Sequence, residues 1–228
     1  QNIAALLAVI QATAPYQILD FGCGPGRDLR TFSALGHVAT GLDGCPRFVE
    51  MARADSGCEV WLQDFLALDL PDRHFDGIFA NAVLFHIPSQ ELPRVLRQLL
   101  ASLMPGGVLF SSNPRGDNLE GWNGERYGAY YDLANWRTLL TAAGFVELQH
   151  YYRPAGLPRD QQPWLASVWP RLRPGGRLAY GDLTLQASAS PQLRAAQADR
   201  DAGLGQRRGV LPAARAPEDL RARVGCVQ

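Results

Sequence analysis

Ile18-Leu19-Asp20-Phe21-Gly22-Cys23-Gly24-Pro25-Gly26 is the stretch on which the fold turns. The apolar run Tyr16–Phe21 (YQILDF) reads as a short buried strand. It enters a glycine turn with no intervening loop, and Asp28–Leu35 beyond the turn reads as a helix stopped by Gly36. Strand, glycine turn and helix in that order form the opening unit of a doubly wound α/β sheet. The glycines permit a tight turn and the close approach of a ligand to the backbone. Their spacing is G-x-G-x-G. A dinucleotide fingerprint would place its third glycine at position 27, where Arg27 stands. Asp20 precedes the first glycine by two residues; a carboxylate there is unfavourable beside a pyrophosphate and favourable beside a cation.

Working outward, the chain to about residue 170 alternates helices and strands. Ile3, Leu6, Leu7 and Ile10 mark one face of a helix that Pro15 ends. His37–Leu42 reads as the second strand, and Pro46 opens a helix through Ala54. Cys58–Leu62 and Phe75–Ala80 read as the third and fourth strands. Ser89 is the expected N-cap of a helix over Gln90–Leu103, with Leu92, Leu96, Leu99 and Leu103 as its apolar stripe. Pro105-Gly106-Gly107 then turns the chain into a fifth strand, Val108–Ser112. A polar and aromatic loop from Asn113 to Tyr131 follows, then a helix over Asp132–Ala143 stopped by Gly144. Phe145–Tyr152 and Leu165–Trp169 read as the sixth and seventh strands. This alternation predicts a three-layer α/β fold with a mostly parallel sheet covered on both faces.

Three further signals sit at strand ends. Asp43 ends the second strand 17 residues past Gly26, in Gly41-Leu42-Asp43-Gly44. An acid there accepts paired hydrogen bonds from ribose hydroxyls, a logic that does not choose between cofactors. Asp64-Phe65 follows the third strand. Asn81 stands at the tip of the fourth, and His86 lies just beyond, either as a general base or as a loop histidine bound to backbone. The loop from Asn113 is too long for an ordinary connector. Its Arg115, Trp122, Arg126, Tyr127, Tyr130 and Tyr131 suit either a substrate lid or simple packing.

Together these segments resemble the class I S-adenosylmethionine-dependent methyltransferases, over residues 1–169 and in the family's order. The resemblance implies a Rossmann-like seven-stranded sheet whose last strand is antiparallel, S-adenosylmethionine as cofactor, and methyl transfer to an acceptor. It implies that Asp20, Gly22, Gly24 and Gly26 lie against the amino-acid part of the cofactor. Asp43 and Gly44 would hold its ribose, Asp64 and Phe65 its adenine, and Asn81 would pass beside it. Arg115, Tyr127 and Tyr130 are the candidate substrate residues, and His86 the candidate base. The Asn/Asp-Pro-Pro-Tyr/Phe tetrad of many amino-group methyltransferases acting on nucleic acid or protein is absent, so a small-molecule acceptor is expected. The helices that usually precede the family's first strand read as truncated.

Composition bounds the rest. The chain has 228 residues, 46% of them hydrophobic and 19% charged, with a formal net charge of zero. Nothing in that total advertises a polyanionic partner, and neither a nucleic-acid nor a membrane partner is expected. Every basic residue counted is Arg; without Lys, Schiff-base and P-loop lysine chemistry are excluded. Cys23, Cys45, Cys58 and Cys226 form neither a C-x-x-C nor a zinc-spaced cluster, so no metal is expected and a reducing, cytoplasmic location is. Residues 170–228 form an Arg/Ala-rich extension, with ten Arg against five acidic residues from Arg171 onward. It is expected to be mobile or loosely docked. Within it Arg171–Leu185 echoes the fifth-strand segment, and Ala216–Val224 has the pattern of a helix. Two rival functions stand: an NAD(P)-dependent oxidoreductase, which Arg27 and Asp20 oppose, and a non-catalytic methyltransferase-like binding module.

Overall fold

Helix ends lie where the sequence supplies end chemistry. Pro46 occupies the first turn of one helix, whose terminus is Gly57 at φ 66°. Asp132 caps another by accepting a hydrogen bond from the Asn135 amide at 2.8 Å, and Gly144, at φ 104°, closes it. In the computed structural model residues 1–172 are described. Their elements are α1 (Asn2–Leu7), β1 (Gln17–Phe21), α2 (Arg27–Ala34), β2 (Val38–Asp43), α3 (Pro46–Ser56), β3 (Glu59–Leu62) and β4 (Phe75–Asn81). Then come α4 (Leu92–Ser102), β5 (Leu103–Pro114), β6 (Leu119–Asn123), β7 (Arg126–Tyr130), α5 (Leu133–Ala143), β8 (Gln149–Arg153) and β9 (Trp164–Pro170).

Seven strands form one sheet in the order β3-β2-β1-β4-β5-β9-β8. All pairings are parallel except those of β9, which runs against both β5 and β8. The expected α/β class and antiparallel last strand are therefore present. Alternate residues of each strand feed two cores. Ile18, Phe79, Phe110 and Val168 pack with Leu6, Leu29 and Phe32 of α1 and α2 on one face. Leu19, Ile78, Leu109 and Trp169 pack with Leu96, Leu99, Trp136 and Leu140 of α4 and α5 on the other. Strand order reverses between β1 and β4, and the crevice at such a switch point is where open α/β sheets bind ligands.

Four local expectations are corrected. α4 begins at Leu92 after Glu91, because Ser89 is engaged elsewhere: its amide and hydroxyl both donate to the Glu120 carboxylate. Pro105-Gly106-Gly107 is no turn between helix and strand. Leu103 already pairs with Phe75, and the register shifts before Gly77 pairs with Val108. The loop after β5 contains a two-stranded antiparallel hairpin, β6–β7, folded back onto residues 84–89. The sixth sheet strand starts at Gln149, because Phe145 makes only an isolated bridge to Arg171 and turns its ring into the core.

Arg171 also donates to the carbonyls of Leu100 and Ala101 at the end of α4 (2.8 and 3.1 Å). The rest of the 170–228 extension, with its strand-like echo and helical pattern, lies outside the described residues. Among the described residues no helix is long and apolar enough to cross a membrane.

Candidate functional site

The glycine turn is held by its neighbours more than by itself. Gly22, Gly24 and Gly26 all have positive φ (74°, 52° and 91°). A Cβ on Gly22 would overlap the Val83 Cγ2, and one on Gly26 would lie 2.9 Å from the Ala52 Cα. The turn is therefore wedged between the chain after β4 and helix α3, and side chains are excluded on both counts. The amides of Gly22 and Cys23 donate to the Leu42 carbonyl, at 2.8 and 3.0 Å.

Asp43 closes the arrangement. Its Oδ2 accepts from the Gly24 amide and its Oδ1 from the Cys45 amide, both at 2.9 Å. Burial raises its pKa, against the lowering effect of the Cys45, Gly24 and Gly44 backbone donors. A carboxylate has about four acceptor positions, so these three backbone donors leave acceptor capacity for a ligand.

Asp20 is the feature that most needs a partner. It is 3% exposed, and its Oδ2 is buried with no hydrogen-bond partner among the described residues. Burial pushes its pKa well up, the Asp28 and Asp43 carboxylates push the same way, and Arg27 opposes them. Arg27 itself is largely exposed and paired with Asp28 at 3.0 Å. Three carboxylates thus converge on the turn with one cation, already paired. Such a site favours a positively charged ligand group and disfavours a pyrophosphate.

At the tip of β4, Asn81 donates to Asp28 (3.4 Å) and accepts from Asn2 of α1 (3.0 Å), whose Oδ1 accepts from the Tyr151 hydroxyl. Ala82, next along, sits at φ 63°, a conformation non-glycine residues avoid outside constrained sites. On the third-strand side, Asp64 Oδ1 accepts from the Leu66 amide at 2.8 Å. Phe65 is 6% exposed and packs on Phe21, 4.7 Å between ring centroids, so its ring belongs to the core rather than to the sheet edge.

The hairpin side is equally ordered. His86 is 8% exposed, and its Nδ1 lies 2.8 Å from the Tyr127 carbonyl. A carbonyl only accepts, so Nδ1 carries the proton and Nε2 keeps its lone pair. Burial lowers the His86 pKa and nearby Arg126 adds to this, against the Tyr127 carbonyl. Glu120, already holding Ser89, also bonds the Tyr127 hydroxyl. Tyr130 packs 5.9 Å from Phe85. Arg115 is placed away from this cluster. Its guanidinium donates to the Arg159 carbonyl at 2.9 Å and lies 5.6 Å from the Tyr152 ring.

The structure thus gathers Asp20, Gly22, Gly24, Gly26, Asp43 and Gly44 at one turn, with Asn81 beside them. It sets His86 against Tyr127 of the hairpin, with Tyr130 of the same strand packed on Phe85. Asp28, Asn2 and Glu120 complete these groups without having been anticipated. Asp28, two residues past the glycine turn, carried a readable signal; Asn2 and Glu120 join only through long-range contacts.

A methyltransferase-domain family profile matches residues 18–107, spanning β1 through the start of β5. The chain is 38% identical over 118 residues to a trans-aconitate 2-methyltransferase of Methylobacterium radiotolerans, covering 51% of this chain and 44% of that protein. It is 31% identical over 209 residues to a 24-methylenesterol C-methyltransferase 2 of Oryza sativa subsp. japonica, covering 82% and 55%. Among solved structures, the Burkholderia thailandensis 1,6-didemethyltoxoflavin-N1-methyltransferase superposes with a TM-score of 0.62 at 24% identity, over 74% of this chain and 76% of that one. Residues 18–107 are a methyltransferase domain, and the fold is that of the S-adenosylmethionine-dependent methyltransferases. The chain spans about half the length of the two curated methyltransferases described above. In this methyltransferase domain Gly22–Gly26, Asp43 and Asp64 lie at or just beyond the carboxyl ends of the neighbouring parallel strands β1, β2 and β3.

Proposed function

We propose that this methyltransferase binds S-adenosylmethionine at the turn after β1 and transfers its methyl group to a small organic acceptor. The observation that carries the reading is the buried, partnerless oxygen of Asp20 among three carboxylates. When bound, the cofactor supplies an electrophilic methyl group on a cationic sulfur. Asp20 offers its carboxylate to the positive amino-acid end. Gly22, Gly24 and Gly26 let the backbone approach, and Asp43 with Gly44 takes the ribose. Asp64 accepts from the adenine, whose cover comes from the backbone beyond it, since the Phe65 ring is committed to the core. Asn81 borders the cofactor on the acceptor side. What remains for the protein is alignment and exclusion of water, and positioning alone supplies ~7–11 kcal/mol in well-oriented systems. The names of the relatives, which specify trans-aconitate and a sterol, support a small acceptor.

Calorimetric titration with S-adenosylmethionine, S-adenosylhomocysteine and NAD tests this. Binding of the first two and not of NAD is expected; the reverse result overturns the reading. Turnover is read as S-adenosylhomocysteine release with candidate acceptors, tRNA serving as the macromolecular control.

For an acceptor that must lose a proton, His86 Nε2 is the base we assign. Because burial lowers the pKa of His86 below its ordinary 6.5, the neutral form predominates from neutral pH upward. Activity should rise with pH through a value below 6.5 and then stay level. His86→Ala should lower turnover by on the order of 10²–10⁴ with cofactor affinity unchanged. Normal turnover and an unchanged pH profile would leave His86 only its bond to Tyr127, as an anchor of the hairpin.

A further inference from the structure

On the α1 side of the sheet, a cleft of about 820 Å³ opens beside the tip of β4. Its polar wall includes Asn2, Arg27, Asp28, Asn81 and Arg153, and its apolar wall includes Leu7 and Phe79. Of the charged side chains lining it, Arg27 and Asp28 neutralise each other. Arg153 has no such partner: no carboxylate lies within ion-pair distance of it among the described residues. Its NH2 donates to the Ser112 hydroxyl, its guanidinium carbon lies 5.5 Å from the Trp164 ring, and its Nε is buried without a partner. Burial lowers its pKa, as expected of a cation partly stripped of water and lacking a carboxylate counter-charge. A half-buried guanidinium left in this state is costly unless something anionic completes it.

We propose that Arg153 is a specificity-determining residue that binds a carboxylate of the methyl acceptor in this cleft. The inference rests on the functional reading above. Position separates this carboxylate from the cofactor's own. Asp20 pairs with Phe79 across β1–β4, and Ser112 pairs with Asn81 across β4–β5. Ser112 is therefore two strands over and two residues further along than Asp20, roughly 11–12 Å between Cα atoms at standard sheet spacings. An α-amino acid carries its ammonium and carboxylate on one carbon, so this offset favours a second molecule as the source of the anion, which the 5′-methylthioadenosine comparison below tests. Arg153 lies beyond β4, on the side away from the glycine turn. Charge selects carboxylate over phosphate. One guanidinium balances one negative charge, and Arg27 is already neutralised, so a phosphate dianion would leave charge uncompensated.

The test titrates the monocarboxylates benzoate, acetate and hexanoate, with their methyl esters and phenyl phosphate, into the full chain with and without S-adenosylhomocysteine. At least one carboxylate should bind, its ester at least tenfold more weakly. Arg153→Gln should lose that binding by tenfold or more, Arg153→Lys should retain part of it, and neither should alter S-adenosylhomocysteine affinity. Equal binding of acid and ester, no carboxylate binding, tighter binding of phenyl phosphate than of benzoate, or unchanged binding in Arg153→Gln would each overturn the proposal. If Arg153→Gln weakens S-adenosylhomocysteine but not 5′-methylthioadenosine, the anion is the cofactor's own carboxylate and the acceptor assignment is wrong. Should wild-type protein fail to bind S-adenosylhomocysteine, the cofactor reading falls, while the titrations without it still decide whether Arg153 binds carboxylates. The acid–ester comparison on wild-type protein needs no variant and holds even if Arg153→Gln does not fold.

Discussion

Asp43→Ala should weaken S-adenosylhomocysteine binding by about 2–4 kcal/mol, the loss of charge-assisted hydrogen bonds to a ligand, or ~30- to ~1000-fold in Kd. Two effects add. The ribose loses its acceptor, and the Gly24 and Cys45 amides lose the carboxylate that fixes the turn, since each donates to a different Asp43 oxygen at 2.9 Å. The second effect sets the outcome for Asp43→Asn. An amide presents one NH2 group, which must face one of those two backbone donors, so the conservative variant should bind almost as poorly as the alanine. An acid that contacted only the ribose would tolerate Asn far better. Calorimetric Kd values for both variants, with melting curves to show that each folds, separate the cases. Wild-type affinity in a folded Asp43→Ala protein would remove the residue from the cofactor site.

Asp20→Asn should move stability and affinity in opposite directions. The buried Asp20 carboxylate, short of one partner and facing two other acids, has a raised pKa in the folded state. The unfolded chain therefore gives up this proton first as pH rises, and folding stability falls through that range. The penalty is absent below about pH 4, the unfolded value, and complete above the folded pKa. Asparagine removes it, so the ligand-free variant should gain about 1–3 kcal/mol at neutral pH and nothing in acid. Affinity for S-adenosylmethionine should fall by about 1.5–3 kcal/mol, the range for a hydrogen bond to a charged group, or ~10- to ~150-fold. Binding of 5′-methylthioadenosine, which lacks the amino-acid end, should barely change. A destabilised variant, or one with undiminished S-adenosylmethionine affinity, would show that Asp20 is satisfied in a way that has nothing to do with a cationic ligand.

By itself the sequence determined the order of the elements, because apolar period and end chemistry are local properties: YQILDF into GCGPG, Pro46 opening α3, Asp132 and Gly144 bracketing α5. It also determined that Asp20, Asp43 and the three glycines would share one edge, since parallel strands bring their carboxyl ends together whatever the loops do. Where it erred, a long-range contact overruled a local signal. Ser89 has N-cap chemistry, but Glu120 of the hairpin claims it. Pro105-Gly106-Gly107 has turn chemistry, but strand pairing from Leu103 onward holds it in the sheet.

Only the tertiary structure decided which polar groups are left short of partners. The carboxylate of Asp20, the guanidinium of Arg153 and the single proton position on His86 are defined by what surrounds them in space. Arg153 stands 133 residues from Asp20 in a stretch with no motif. It joins the carboxyl edge because β9 runs antiparallel and places β8 beside it, a pairing that local sequence cannot encode.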